Sequence, residues 1–331
     1  MNSSDRSRSP RIGITLGDPR GIGPEIVGKA LGHDFESVVE YLVIGPAGLS
    51  IEGHSFHSVG EWDGEVESAG YLSGLAVARA VELALSGEID AIVTAPIDKS
   101  AFHAGGWHYP GHTEMLQDLA GARDVVMMMA AERTLAGGPL RVVLATTHLA
   151  LRDVPAAVTS DLIVRQSRLT ADSLRRWWGI ENPRLALCAL NPHASDGGLF
   201  GDEERRVLEP AARSLTSEGM SISDPIPADT VFRRTIAGEF DAVIAPYHDV
   251  GMAAFKTVAF GGGVNVTLGL PFPRTSPDHG TAIDIAGRGL ASESSMIEAI
   301  GLAIRLARQV GPIDDRNSAT AETGRRSPAR P

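Results

Sequence analysis

Seven short apolar runs punctuate the chain, and longer helical patterns fill the intervals between them. The runs are RIGITLG (11–17), YLVIG (41–45), DAIVTA (90–95), VVMMMAA (125–131), LRVVLATT (140–147), RLALCAL (184–190) and FDAVIA (240–245). A strand covered on both faces has no solvent side, so it reads as a continuous apolar run rather than an alternating one. Runs of this kind separated by helices predict an α/β fold built on a mainly parallel sheet. The spacing predicts helices over 69–86, ended by Gly87, and over 159–177, capped by Ser160 and stopped by Gly179. A last helix is expected from Ser295, with Glu298 completing a capping box, to about Gln309, ahead of Gly311 and Pro312.

At 331 residues the chain is long enough for two compact domains, and 43% hydrophobic against 21% charged residues supports a large core. A net charge of −11 argues against nucleic acid or an anionic membrane as the main partner. It leaves an anionic substrate open, because a few local basic groups suffice to hold one. No apolar stretch approaches the ~18–20 residues that span a bilayer. The N-terminal MNSSDRSRSPR has no apolar segment of the secretory type, so a cytoplasmic protein is expected, with disordered tails at 1–10 and 313–331. The single cysteine, Cys188, rules out an intrachain disulfide and a cysteine-based zinc site, and reads as a small buried residue. Met127, Met128 and Met129 read as core filler.

Three of the seven runs lead into a histidine: LRVVLATTHL to His148, RLALCALNPH to His193 and FDAVIAPYH to His248. In open α/β sheets ligands collect outside the carboxyl ends of the strands. Three imidazoles there are the donor set of a catalytic divalent-metal site that keeps a position open. The spacings of 45 and 55 residues match no short metal motif, so hydrogen-bonded loop histidines fit equally well. A second group suggests an anion: GGVNVTLGLPFPRTSPDHGTA (262–282) carries Asn265, Arg274, Thr275 and Ser276. Lys256 precedes it, and His112 and Thr113 follow a glycine-rich turn in GHTE. The stretch GDPRGIGPE (17–25) is neither a dinucleotide fingerprint nor a P-loop, and reads either as a ligand-approaching backbone or as a structural turn.

The motifs GDPRGIGPEI, TAPIDK, GHTE, VVMMMA, LATTHLALRDVP, LNPHASDGGLFGDEE, PADTVF, YHDVGM and GVNVTLGLPFPRTSPDHGTAIDIAG together resemble one family. It is the 4-hydroxythreonine-4-phosphate dehydrogenase family of vitamin B6 biosynthesis, related to isocitrate and isopropylmalate dehydrogenases, and the likeness runs from Ile12 to Leu306. The resemblance implies two α/β/α domains flanking an active-site cleft, one formed by 11–110 plus 268–310 and the other by 111–267. It implies a homodimer whose subunits complete each other's sites. It makes His148, His193 and His248 ligands of a divalent ion (zinc, magnesium, manganese or cobalt), with His248 supplied by the other subunit. His112, Thr113, Lys256, Asn265 and Arg274 match its substrate-binding positions. HGTAID resembles the NAD loop of the related dehydrogenases, which puts His279, Gly280 and Asp284 at the cofactor, with Asp284 on the adenosine ribose.

The implied reaction is NAD-dependent oxidation of 4-hydroxythreonine 4-phosphate to an amino-keto acid, which loses carbon dioxide to give 3-amino-2-oxopropyl phosphate. Lys99, Asp229 and Asp249 are the candidate proton-transfer groups. The chain departs from the family pattern at Val250, where relatives carry glutamine, and at Ser195-Asp196, where many carry Gly-Glu; the segment between Ile44 and Ala69 is also shorter. The departures leave open a phosphorylated sugar acid, threonate or erythronate 4-phosphate, as substrate. A non-catalytic metabolite or metal sensor on the same fold is the reading from another class.

Overall fold

A computed structural model describes residues 8–35, 38–259 and 261–310. Eleven strands form one sheet: β1 (Arg11–Thr15), β2 (Glu40–Gly45), β3 (Ser55–Ser58), β4 (Ala91–Thr94), β5 (Val126–Ala131), β6 (Leu140–Leu144), β7 (Arg184–Leu187), β8 (Ser221–Ile222), β9 (Ala242–Ala245), β10 (Val264–Leu268) and β11 (Arg274–Pro277). The helices are α1 (Gly23–Leu31), α2 (Val66–Leu85), α3 (Lys99–Ala104), α4 (His112–Leu119), α5 (Val154–Ala157), α6 (Ser160–Trp178), α7 (Glu209–Ser217), α8 (Ala228–Ile236), α9 (His248–Val258) and α10 (Ser294–Val310).

The strand order is β3-β2-β1-β4-β11-β10-β5-β6-β9-β7-β8. All seven apolar runs are strands, and the α/β expectation holds. The two ends of the sheet are parallel, β3-β2-β1-β4-β11 on one side and β6-β9-β7-β8 on the other. Antiparallel pairings of β10 with β11 and β5, and of β5 with β6, join them. The sheet therefore runs unbroken across residues 267 and 268, where a domain boundary was expected. Strands β10 and β11 come from the stretch read as an anion-binding loop. Its glycines and prolines masked a hairpin whose residues alternate between a core face and a polar one.

One face of the sheet is covered across its whole centre by α1, α10, α6 and α7. On the other face, α2, α3 and α4 pack over the first half, while α8 and α9 pack over the second. Between those two groups, over β11, β10 and β5, the helical cover is interrupted, and that gap is the cleft.

The long helices obey their sequence signals with two shifts. Helix α6 ends at Gly179, whose φ of 67° suits glycine, but its cap is Thr159, whose hydroxyl accepts from Leu162 N at 3.1 Å. Ser160 lies one residue inside and donates to Val207 O instead. Helix α10 starts at Ser294, so Ser295 is already helical and buried and donates to Asp278; the expected capping box with Glu298 does not form. Pro10 is buried and its carbonyl accepts from Glu40 N, so the tail expected at 1–10 is shorter than that; residues 1–7 and the tail expected at 313–331 lie outside the described residues. Cys188 is fully buried, and burial pushes its thiol up to about 12, which makes it inert. Among the described residues no helix is long and apolar enough to cross a membrane.

Candidate active site

The cleft encloses about 720 Å³. Its floor follows from strand alternation: Met127 and Met129 of β5, Asn265 of β10, and Arg274 and Ser276 of β11 point to the same side. Asn265 stands between Met129 and Ser276 in register. One wall is built by Lys99 at the start of α3 and by His112, Thr113 and Gln117 of α4; the other by His248, Met252 and Lys256 of α9. His279 and Gly280 close one end, and His148 lies on the lip beyond β6.

Arg274 dominates the electrostatics. It is 1% exposed and hydrogen-bonds only to hydroxyls, Thr267 Oγ1 at 3.1 Å and Thr94 Oγ1 at 2.6 Å. Among the described residues no carboxylate pairs with it, and its Nε has no partner. Burial pushes its pKa down to about 10, which still leaves it charged at neutral pH. Such a cation calls for an anion, because desolvation is costly unless an opposite charge offsets it. His112 has the opposite state. Burial, with the Arg274 charge behind it, holds the imidazole well below its ordinary range, so it is neutral. Its Nε2 and the Oδ1 of Asn265 are also sealed from water without partners. Lys256, half-exposed at the rim, lies 3.6 Å from the more buried Asp278. Buried polar atoms with nothing to bond mark a surface shaped for a polar ligand.

The three histidines follow β6, β7 and β9, which are neighbours in the sheet. His148 and His248 meet, with ring centroids 5.9 Å apart. Two imidazoles on one tetrahedral ion lie about 5 Å apart by ordinary metal–nitrogen lengths, so a small ring rotation suits this pair to a shared divalent ion. His248 Nδ1 is 2.7 Å from Asp249 Oδ1; that pairing favours the tautomer whose Nε2 lone pair is free for a metal. His193 is not brought to them. It is exposed, outside the cleft lining, at the head of a turn in which His193, Ala194, Ser195 and Asp196 all have φ between 45° and 68°. Left-handed backbone costs about 1–2 kcal/mol for each non-glycine residue, and His148 also adopts it, with φ 54°. Within one chain His248 lies beside His148, and His193 stands apart from both. Among the described residues no group of three metal-ligating side chains is assembled.

Other expected residues are dispersed. Lys99, Thr113, His279 and Gly280 line the cleft. Asp284 is exposed in a short turn and does not line it, and Asp229 is exposed in the first turn of α8. Asp249 faces away from the main cleft, toward a small hollow with Leu149, Leu151 and Tyr247. The glycine-rich turn at 17–25 is structural: Asp18 accepts from Arg20 and Ile22 N donates to Thr281 O, and none of its residues lines the cleft. Val250 and Met252 both pack on the apolar cluster under α8 and α9, and of the two Met252 lines the cleft.

Sequence reasoning passed over Gln166, whose Nε2 donates to Ala145 O at 3.0 Å and whose Oε1 has no partner at the cleft wall. It lies on a helix that periodicity reads only as amphipathic. Asp278 was within reach, since it sits in the quoted stretch before His279.

A family profile described as "Pyridoxal phosphate biosynthetic protein PdxA" matches residues 47–303. A 4-hydroxythreonine-4-phosphate dehydrogenase of Geobacter metallireducens is 42% identical, over 91% of this chain and 97% of the relative. A Bradyrhizobium diazoefficiens protein named "Putative D-threonate 4-phosphate dehydrogenase" is 40% identical, over 90% and 97%. The crystal structure of 4-hydroxythreonine-4-phosphate dehydrogenase from Klebsiella pneumoniae superposes with a TM-score of 0.81 at 38% identity, covering 90% of this chain and all of that one.

Proposed function

The chain belongs to the PdxA family of pyridoxal phosphate biosynthetic proteins, and from that premise we propose that it is a dehydrogenase that oxidises 4-hydroxythreonine 4-phosphate with NAD at this cleft. The observation that carries the substrate class is Arg274, a buried guanidinium at the cleft floor with no carboxylate partner among the described residues. Together with Lys256 at the rim and the neutral donors Thr113 and His112, it suits a phosphate or carboxylate. His148 and His248 of one chain would hold a divalent ion with His193 of the partner subunit, in a homodimer. Exposed Leu149 and Leu151 beside His148, and Leu199 and Phe200 beyond His193, supply apolar surface for that contact.

A divalent ion held by these histidines would supply Lewis acidity toward the substrate hydroxyl, and NAD would supply the hydride-accepting ring. The chain's residues orient and charge the site. Arg274 fixes the anionic end against the floor, and Asp249 holds the His248 ring. Lys99 at the mouth is the one proposed proton-transfer group that lines the cleft. His279 and Gly280 lie where a cofactor could pass the end of the cleft; Asp284, exposed nearby, remains the residue proposed for its ribose.

The second reading is D-threonate 4-phosphate, favoured by the 40% identical relative of that name. The deciding experiment measures NADH formation by the metal-loaded protein with each substrate. Turnover of 4-hydroxythreonine 4-phosphate alone supports the first reading; turnover of threonate or erythronate 4-phosphate alone replaces it. Turnover of none of them, with no NAD binding, points to a sensor.

A further inference from the structure

The segment between β7 and α7 is organised around a carboxylate that has no place in the chemistry above. Glu204 is 2% exposed and has no cationic partner among the described residues. It accepts four hydrogen bonds: from Leu190 N at 2.9 Å, Asn191 N at 2.7 Å, Asn191 Nδ2 at 2.9 Å and Ser195 Oγ. Burial pushes this carboxyl up, but the bonds from Ser195 and Asn191 outweigh it and hold the group below its ordinary range, as an anion. All four donors come from residues 190–195, on both sides of His193. His193 itself makes no side-chain hydrogen bond among the described residues, and its backbone begins the left-handed run.

Ser195 sharpens the point. Its φ is 68°, a conformation that suits the glycine of the family pattern, yet a serine stands here and its hydroxyl reaches Glu204. We propose that Glu204 is a positioning residue for His193, and that Ser195 is an additional clamp of this chain on the same turn. Glu204 holds the turn in the strained geometry that projects the imidazole outward. The proposal rests on the reading of His193 as a metal ligand. Glutamine in place of Glu204 keeps the shape but turns an NH₂ toward donors, so at least one bond is lost and the turn relaxes.

The test titrates cobalt(II) into the full chain and follows both affinity and the visible ligand-field spectrum, at a temperature far below unfolding and with the oligomeric state of each variant checked. Glu204→Gln is expected to weaken cobalt binding about 10–100-fold, the usual effect of removing an outer partner of a ligand, and to alter the spectrum. Ser195→Ala should act in the same direction by a smaller factor, and it decides the matter if Glu204→Gln does not fold. His193→Ala is the control. Parental cobalt affinity and spectrum in the folded Glu204 and Ser195 variants, with loss in His193→Ala, overturns the positioning role and leaves the ligand reading standing. Parental binding by His193→Ala overturns the ligand reading, and the proposal with it.

Discussion

At the scale of single residues, Arg274 and His112 carry opposite charge states for one reason. Burial opposes charge in both; the guanidinium is too basic to lose its proton, whereas the imidazole yields. Removing the uncompensated cation by Arg274→Met is expected to leave the ligand-free protein at least as stable, while kcat/KM falls by roughly a hundredfold or more, about 2.7 kcal/mol or above. A large fall in the thermal midpoint of the ligand-free variant would count against this account of the site. The His112 imidazole gives a pH effect of definite sign. Its folded pKa lies below the unfolded one, so the unfolded chain takes up a proton first as pH drops below about 6.5, and stability falls there by up to ~1.4 kcal/mol per pH unit. The loss in unfolding free energy between pH 7.5 and 5.5 should therefore be smaller in His112→Asn than in the parent. Equal losses would mean that this imidazole titrates normally.

Among the elements, helix α3 matters because it brings Lys99 to the cleft and lies very close to α2. A Cβ on Gly70 of α2 would stand 1.7 Å from the carbonyl oxygen of Ala101, and backbone cannot swing aside. Gly70→Ala is expected to cost about 3 kcal/mol, the upper end for overpacking, and to lower kcat through displacement of Lys99. A urea titration reads the first effect, and an unchanged midpoint would refute the packing argument. Elements with continuous apolar runs, such as β6 and β9, were legible because burial on both faces leaves no other pattern. Strands β10 and β11 were not, because their cleft-lining side chains are Asn265, Arg274 and Ser276, and polar residues among glycines and prolines look like loop. The functional surface thus hid the strands that carry it.

For the whole molecule, the pairing of His148 with His248 makes a prediction about assembly. If the partner subunit's His193 completes each site, inactive His148→Ala and His193→Ala chains should restore activity when dissociated and reassociated together. Random mixing leaves ~25% of sites intact, since half the dimers are mixed and each has one whole site. His148→Ala mixed with His248→Ala should restore none, because both ligands belong to one chain's half of the site. Recovery in that second mixture and not the first would return His248 to the partner.

The amino-acid sequence by itself determined the α/β class, the seven strands buried on both faces, the family, and the residue types that gather at strand ends, because each is a local or periodic property of the chain. Only the tertiary structure decided that two of the three histidines meet, that Met252 lines the cleft while Val250 does not, and that Arg274 lies buried with no carboxylate partner among the described residues. Those facts depend on which strands become neighbours and where the helical cover stops. Distances between residues a hundred positions apart are set by packing, which no spacing along the chain records.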